Sequence, residues 1–328
     1  MDKYSKKKPS NSSSNRTPQR GEPFWQVVQR QKESRRAKAK NQAKVVPRGT
    51  APVEPRFANT QPNRVWERRT PERPDPKAPV RLNRFIAQAG VCSRREADAI
   101  IARGSIKVNG KVVTELGTKI LPKQDRVEYA NRVLTQQNFT YVLLNKPKNM
   151  ITTMSDPLGR RTVLQAIERA TQQRVYPVGR LDRNTTGLLL LTNDGELTKK
   201  LTHPSHRVKK LYKARLNQSV SEADMAALSQ GIELEDGFAQ VDQVEYVAGT
   251  DGYEVGIEIH IGRNRIVRRM FEHLGYRVEA LDRIMLGHLT KKNLPRGKWR
   301  KLTDKEVGFL KMMGNSDAPK TDAHSDSD

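Results

Sequence analysis

The sequence predicts an α+β fold: a small module of two helices and a β-hairpin, then a larger domain on a mostly antiparallel or mixed sheet. A long basic segment precedes both. Three observations carry this reading. Strand-like runs after residue 140 come singly and in meanders, without the regular strand–helix–strand alternation of a parallel doubly wound sheet. Residues 80–129 place two capped helical patterns directly before a turn signal. Residues 1–79 hold 20 Lys/Arg against 7 Asp/Glu and 11 of the chain's 18 prolines, with almost no apolar periodicity. Such a segment cannot bury enough surface to offset its chain entropy, so 1–79 is expected to be a disordered tail. Within it, Phe24-Trp25-Gln26-Val27-Val28 is a patch that could dock on a partner. A polar tail over 315–328 is expected to be disordered too.

The module is placed at 80–129. Leu82, Phe85, Ile86 and Ala89 recur at helical spacing, and Gly90 stops the run. Ser93-Arg94-Arg95-Glu96 is a capping box opening a second helix, with Ala97, Ile100 and Ile101 on its apolar face and Gly104 as its exit. Asn109-Gly110 between Ile106 and Val113 is a two-residue hairpin turn. Arg94 and Arg95 oppose the helix dipole, a cost that a bound phosphate would offset.

The large domain is placed at 138–314, opening with a strand over Thr140–Lys146 that Pro147 stops. Thr162 is expected to cap a helix through Ala170, Asp194 one over Gly195–Leu201, Ser221 another, and Asn264 a basic helix from Arg265 to Leu274. Thr303-Asp304-Lys305-Glu306 begins a last one. Strands are expected over Lys210–Leu216 and within Val241–Ile261.

Charge narrows the function classes. A formal charge of +25 and a pI near 10.3 call for a polyanionic partner. No apolar run approaches the ~20 residues of a membrane span, and no signal-peptide core is visible. Nucleic acid is therefore favoured over a membrane surface. The single cysteine, Cys92, excludes an internal disulfide, fits a reducing cytoplasm, and reads as structural. His203 and His206 lack the further ligands a metal site needs, no Gly-x-Ser-x-Gly elbow is present, and no Gly-rich cofactor loop follows an early strand. No cofactor is expected.

The most informative segment is Gly179-Arg180-Leu181-Asp182-Arg183-Asn184-Thr185-Thr186-Gly187-Leu188-Leu189-Leu190-Leu191. A strand buried on both faces follows a polar loop whose one carboxylate, Asp182, lies between two arginines. Two further clues are Arg265-Ile266-Val267-Arg268-Arg269-Met270-Phe271, with a core stripe and three arginines three and four apart, and Tyr212 in a strand that alternates Leu211, Lys213 and Arg215 with Tyr212 and Ala214.

These three motifs, in this order, resemble those of the pseudouridine synthases. Arg81–Val127, with Ser-Arg-Arg-Glu-Ala and Val-Asn-Gly, resembles the S4 RNA-binding domain. Together they identify residues 80–314 as similar to the S4-domain-containing synthases of small- and large-subunit ribosomal RNA. Leu294–Thr303 looks most like the pseudouridine synthase B type, which acts on large-subunit RNA. Asn149 and Ile266 depart from the family pattern, which has a glycine and a glutamine there.

The resemblance implies isomerisation of a uridine in ribosomal RNA, with Asp182, Arg268 and Tyr212 as catalytic residues. Arg268 would reach Asp182 and keep it ionised, and Tyr212 would stack on the extruded base. Arg180 would brace the vacated space. Candidate RNA contacts are Arg180, Arg183, Arg94, Arg95, Lys107, Lys146, Arg265 and Arg269. The expected partner is ribosomal RNA or an assembly intermediate, met by a cytoplasmic monomer. The competing readings are a non-catalytic ribosome-assembly factor, for which Asp182 would be dispensable, and an S4-linked RNA methyltransferase.

Overall fold

The computed structural model describes residues 78–313. Residues 1–77, with the Phe24–Val28 patch, and 314–328 lie outside the described residues. Among the described residues no helix is long and apolar enough to cross a membrane.

The first unit opens with β1 (Val80–Arg81), α1 (Leu82–Gln88) and α2 (Arg94–Ala102). Both halves of the Ser93/Glu96 capping box form: Ser93 Oγ accepts from Glu96 N at 3.2 Å, and Glu96 Oε2 accepts from Ser93 N at 2.7 Å. Strands β2 (Ile106–Val108) and β3 (Lys111–Val113) flank Asn109 and Gly110, whose φ of 52° and 80° suit the tight hairpin turn. The short β4 (Lys119–Ile120) pairs with β1, while β5 (Val127–Tyr129) and β6 (Arg132–Val133) complete a sheet of order β3-β2-β5-β6. The last strand lies past the expected boundary at 129. Leu82, Phe85, Ile86, Ala97, Ile101 and Ile106 fill a core of their own, and Cys92 lies against it, its thiol pushed up by burial.

In the second unit β7 (Tyr141–Lys146) is followed by α3 (Val163–Ala166), β8 (Tyr176–Pro177), β9 (Thr186–Thr192), α4 (Gly195–Thr202) and β10 (Lys210–Leu216). Then come α5 (Glu222–Gln230), β11 (Ile232–Leu234), β12 (Gly237–Ala239), β13 (Gln243–Tyr246), β14 (Glu254–Ile259) and α6 (Ile266–His273). The described chain ends with β15 (Val278–Leu286), β16 (Leu289–Thr290), β17 (Trp299–Lys301) and α7 (Asp304–Met312). The main sheet runs β13-β14-β10-β15-β9-β7-β17, with β16 beside β15 and β8 beside β9. Among the described residues its pairings are antiparallel except β15 with β9, so the sheet is mixed.

Every residue of β9 is buried, as its apolar run requires. Leu189 and Leu191 face one core together with Met270 and Phe271 of α6, while Leu188 and Leu190 face another beneath α4 and α7. Each such side chain stabilises the fold by roughly 1.5–3 kcal/mol relative to exposure.

Two helix expectations are corrected. The helix after Thr162 stops at Ala166, because Ile167 leaves helical geometry (φ −113°) with its side chain in the core; a 3-10 turn covers Glu168–Ala170. Asn264 does not cap α6. Arg265 holds the N-cap position in the left-handed region (φ 45°), and the helix is secured by the packing of Val267, Met270 and Phe271.

The last helix carries a pH-dependent device. Arg300 donates to both oxygens of Glu306 at 2.8 and 2.6 Å, and Thr303 N donates to the same carboxylate at 2.9 Å. The guanidinium holds Glu306 at about 2, below its usual 4.5. Because the folded value is depressed, this stabilisation is complete above about pH 4.5 and is lost as pH falls toward 2. Discounted for solvent screening, Glu306→Gln is expected to cost about 1 kcal/mol at neutral pH. Denaturant midpoints should converge with wild type as pH drops through that window, and a difference independent of pH would refute the assignment.

Candidate active site

The Asp182 loop is built by its neighbours. Lys146, at the end of β7, is fully buried, and its ammonium donates to the carbonyl oxygens of Pro147 (3.2 Å), Asp182 (3.0 Å), Arg183 (3.2 Å) and Thr185 (2.8 Å). Burial pushes this group down to about 8, while the nearby Asp182 favours its charge. Thr152 Oγ1 donates to Leu181 O at 2.8 Å, and Asn149 N donates to Arg183 O at 3.0 Å. Asn149 sits at φ 61°, in the left-handed region that glycine favours and asparagine tolerates. The departure from the family's glycine therefore leaves the turn intact.

Lys146 is thus corrected from an RNA contact to a buried strut. Its chemistry allows nothing else where it lies: four carbonyls surround the ammonium and solvent is excluded. Lys146→Met should leave those carbonyls without their donor and destabilise the chain by about 3 kcal/mol, since removing a buried charged donor strands its acceptors. Thermal melting would register this, and an unchanged midpoint would contradict it.

Arg268 arrives from α6. Its Nη1 donates to Val278 O at 2.7 Å, which fixes the guanidinium, and its Nε stands 3.7 Å from Asp182 Oδ2. That separation is an ion pair but too long for a hydrogen bond. Arg268 is 9% exposed, whereas the Asp182 carboxylate is 39% open to solvent. A buried cation thus faces an accessible carboxylate. Thr185 Oγ1 lies 3.4 Å from the same oxygen.

A cleft of about 580 Å³ opens over this pair, walled by Thr152, Thr153, Arg180, Asp182, Arg265 and Arg268 among others. Tyr212 lines a smaller hollow of about 70 Å³ together with Asp182, Arg180 and Arg265. Its ring is mostly buried, and its hydroxyl accepts from Arg283 at 3.4 Å. Arg283, whose Nε donates to Leu188 O at 2.7 Å, and the Thr152 strut belong to the site without any motif that marks them in the sequence.

The remaining candidates divide. Arg180, Arg183 and Arg265 are exposed around the cleft. Arg94, Arg95 and Lys107 are exposed on the first unit, away from Asp182 in sequence and outside the cleft wall. Arg269 turns aside, donating to both oxygens of Asp236 at 2.9 and 2.7 Å, and Arg265 pairs with Glu272 at 3.1 Å.

Fold and site define a class, an RNA-modifying domain joined to a small RNA-binding module, and comparison with known proteins agrees. The family model described as RNA pseudouridylate synthase matches residues 140–273, and that of the S4 domain matches 80–127. An uncharacterized RNA pseudouridine synthase of Aquifex aeolicus is 41% identical over 245 residues, 74% of this chain and 98% of that protein. The ribosomal large subunit pseudouridine synthase B of Bacillus subtilis is 40% identical over 238 residues, 72% of this chain and 97% of that one. A crystal structure of a pseudouridylate synthase superposes with a TM-score of 0.51 at 31% identity, covering 70% of this chain and 99% of the other. The chain belongs to the RNA pseudouridylate synthase family, with an S4 domain ahead of the synthase domain, and is an isomerase acting on RNA.

Proposed function

We propose that the chain converts a uridine of large-subunit ribosomal RNA to pseudouridine, with Asp182 as the reacting carboxylate. The observation that carries this is the solvent-open Asp182 carboxylate, 3.7 Å from the anchored Arg268, at the edge of the 580 Å³ cleft. Likeness to relatives named for the large subunit supports the choice of RNA.

The reaction balances without a redox partner. The N1–C1′ bond breaks, the uracil turns, C5 bonds to C1′, and the proton leaving C5 is matched by one gained at N1. Asp182 serves this chemistry either as a nucleophile that holds a transient covalent bond or as a base that removes a sugar proton. In both roles Arg268 supplies a fixed positive charge beside the carboxylate, oriented before substrate arrives. The uridine must leave its stack to reach Asp182. Arg180 braces the vacated space and Tyr212 provides the ring beneath the base. Arg183 and Arg265 hold the flanking backbone phosphates.

Mapping pseudouridines in ribosomal RNA from cells with and without the gene tests the assignment. One large-subunit position should revert to uridine in its absence. Unchanged pseudouridine in both ribosomal RNAs would favour the assembly-factor reading.

A further inference from the structure

A second hollow, of about 520 Å³, lies at the seam between the S4 unit and the synthase unit. Its apolar surfaces include Ala87 of α1, Met154 and the ring of Tyr176. Around them stand Arg84, Arg94, Arg174 and Lys199, against one wall carboxylate, Glu196. Two ion pairs close the seam beside it: Arg84 to Glu196 at 2.6 Å and Arg174 to Glu96 at 3.7 Å. Arg94 and Lys199 remain exposed at its rim.

The hollow adjoins the Asp182 cleft. Thr153 and Ser155 line that cleft, whereas Met154 between them lines the seam hollow. One residue, Met154, at a bend of the chain, therefore separates the two linings. An RNA strand with its uridine at Asp182 would have this hollow within reach of its neighbouring nucleotides.

We propose that the seam hollow is a nucleotide subsite, taking a second unstacked nucleotide of the same RNA strand beside the reacting uridine. This rests on the function proposed above. The chemistry fits in two parts. Tyr176, Met154 and Ala87 offer a flat base the apolar and aromatic contact that sequence-reading proteins use for splayed bases. The guanidinium and ammonium groups at the rim match its phosphate, and a surplus of cations over carboxylates favours an anion over a neutral ligand. Such a subsite gives the S4 unit a part in substrate choice, because the hollow exists only where both units meet.

The test uses the full chain with unmodified ribosomal RNA transcripts, ultraviolet cross-linking of natural bases, and mass-spectrometric mapping of the linked peptides. Pseudouridine formation is measured in parallel. Cross-links are expected on the peptides carrying Met154 and Tyr176 as well as on the Asp182 loop. Ala87→Trp, which fills the hollow, and Met154→Glu, which sets a carboxylate at an exposed position in it, should each raise Kd and KM about tenfold. Each should leave kcat within about twofold, because the interaction is made equally in ground and transition states. Two variants are used because the larger ring alone could disturb packing. Cross-links confined to the Asp182 loop, or unchanged Kd and KM in folded Met154→Glu, would overturn the subsite. Equal seam labelling by free 5′-mononucleotides without RNA would overturn the substrate-strand origin of the ligand. Seam cross-links without any pseudouridine formation would instead break the functional reading, and would leave the seam as an RNA contact with no reacting uridine beside it.

Discussion

Asp182→Asn is expected to reduce pseudouridine formation by at least about a thousandfold, some 4 kcal/mol of transition-state stabilisation, while the affinity for RNA stays near that of wild type. The substitution keeps the side chain's size and removes the charge that Arg268 faces at 3.7 Å. The loop should hold its shape, since its struts act on backbone carbonyls: Lys146 on Asp182 O and Thr152 on Leu181 O. Gel-shift affinity and single-turnover conversion measured on one preparation separate the outcomes. Loss of RNA binding by a folded Asp182→Asn chain would mean that the aspartate organises the surface and does not react.

The second large effect is structural. Gly187 follows the Asp182 loop as the second residue of β9, at φ +105°, opposite Arg283 in the parallel pairing of β9 with β15. A Cβ at this position would stand 2.2 Å from Arg283 O and 2.6 Å from Arg283 N. Neither atom can retreat, because Arg283 is buried, its Nε donates to Leu188 O, and neighbouring Asp282 is tied to Thr186 at 2.9 Å, Arg296 at 3.2 Å and Lys291. Gly187→Ala therefore combines left-handed strain with overpacking, a cost of about 3 kcal/mol or more. Chemical denaturation should show the loss, and activity should fall with it as the loop loses its register against β15. A stable and active Gly187→Ala chain would show that β9 and β15 can part without consequence for the loop.

The sequence made local chemistry visible and hid what depends on distant segments. Ser93/Glu96, Asp194, Ser221 and Thr303 all cap helices as their spacing predicts, because a cap needs only three or four consecutive residues. The all-apolar run Gly187–Leu191 announced a strand buried on both faces. Asp182 and Arg268, 86 positions apart, were paired by family resemblance, since no periodicity links a loop to a helix so far along the chain. Lys146 misled for a physical reason: lysine is almost never fully buried, and the four carbonyls that make burial possible come mainly from residues 182–185. Arg269 looked like an RNA contact because its acid, Asp236, lies in a hairpin 33 residues earlier. Arg265 ends up at the N-cap with positive φ, a geometry that neither propensity nor capping rules suggest for arginine. The parallel pairing of β15 with β9 joins strands that five others separate in sequence, so the apolar patterns alone left the sheet's order open.

The most direct measurement is the conversion of an unmodified large-subunit ribosomal RNA transcript by the purified chain, read as pseudouridine by mass spectrometry beside the Asp182→Asn form. Pseudouridine is expected at a defined position with the wild-type chain, and none with the variant. No product from the folded wild-type chain, or equal product from both, would contradict this.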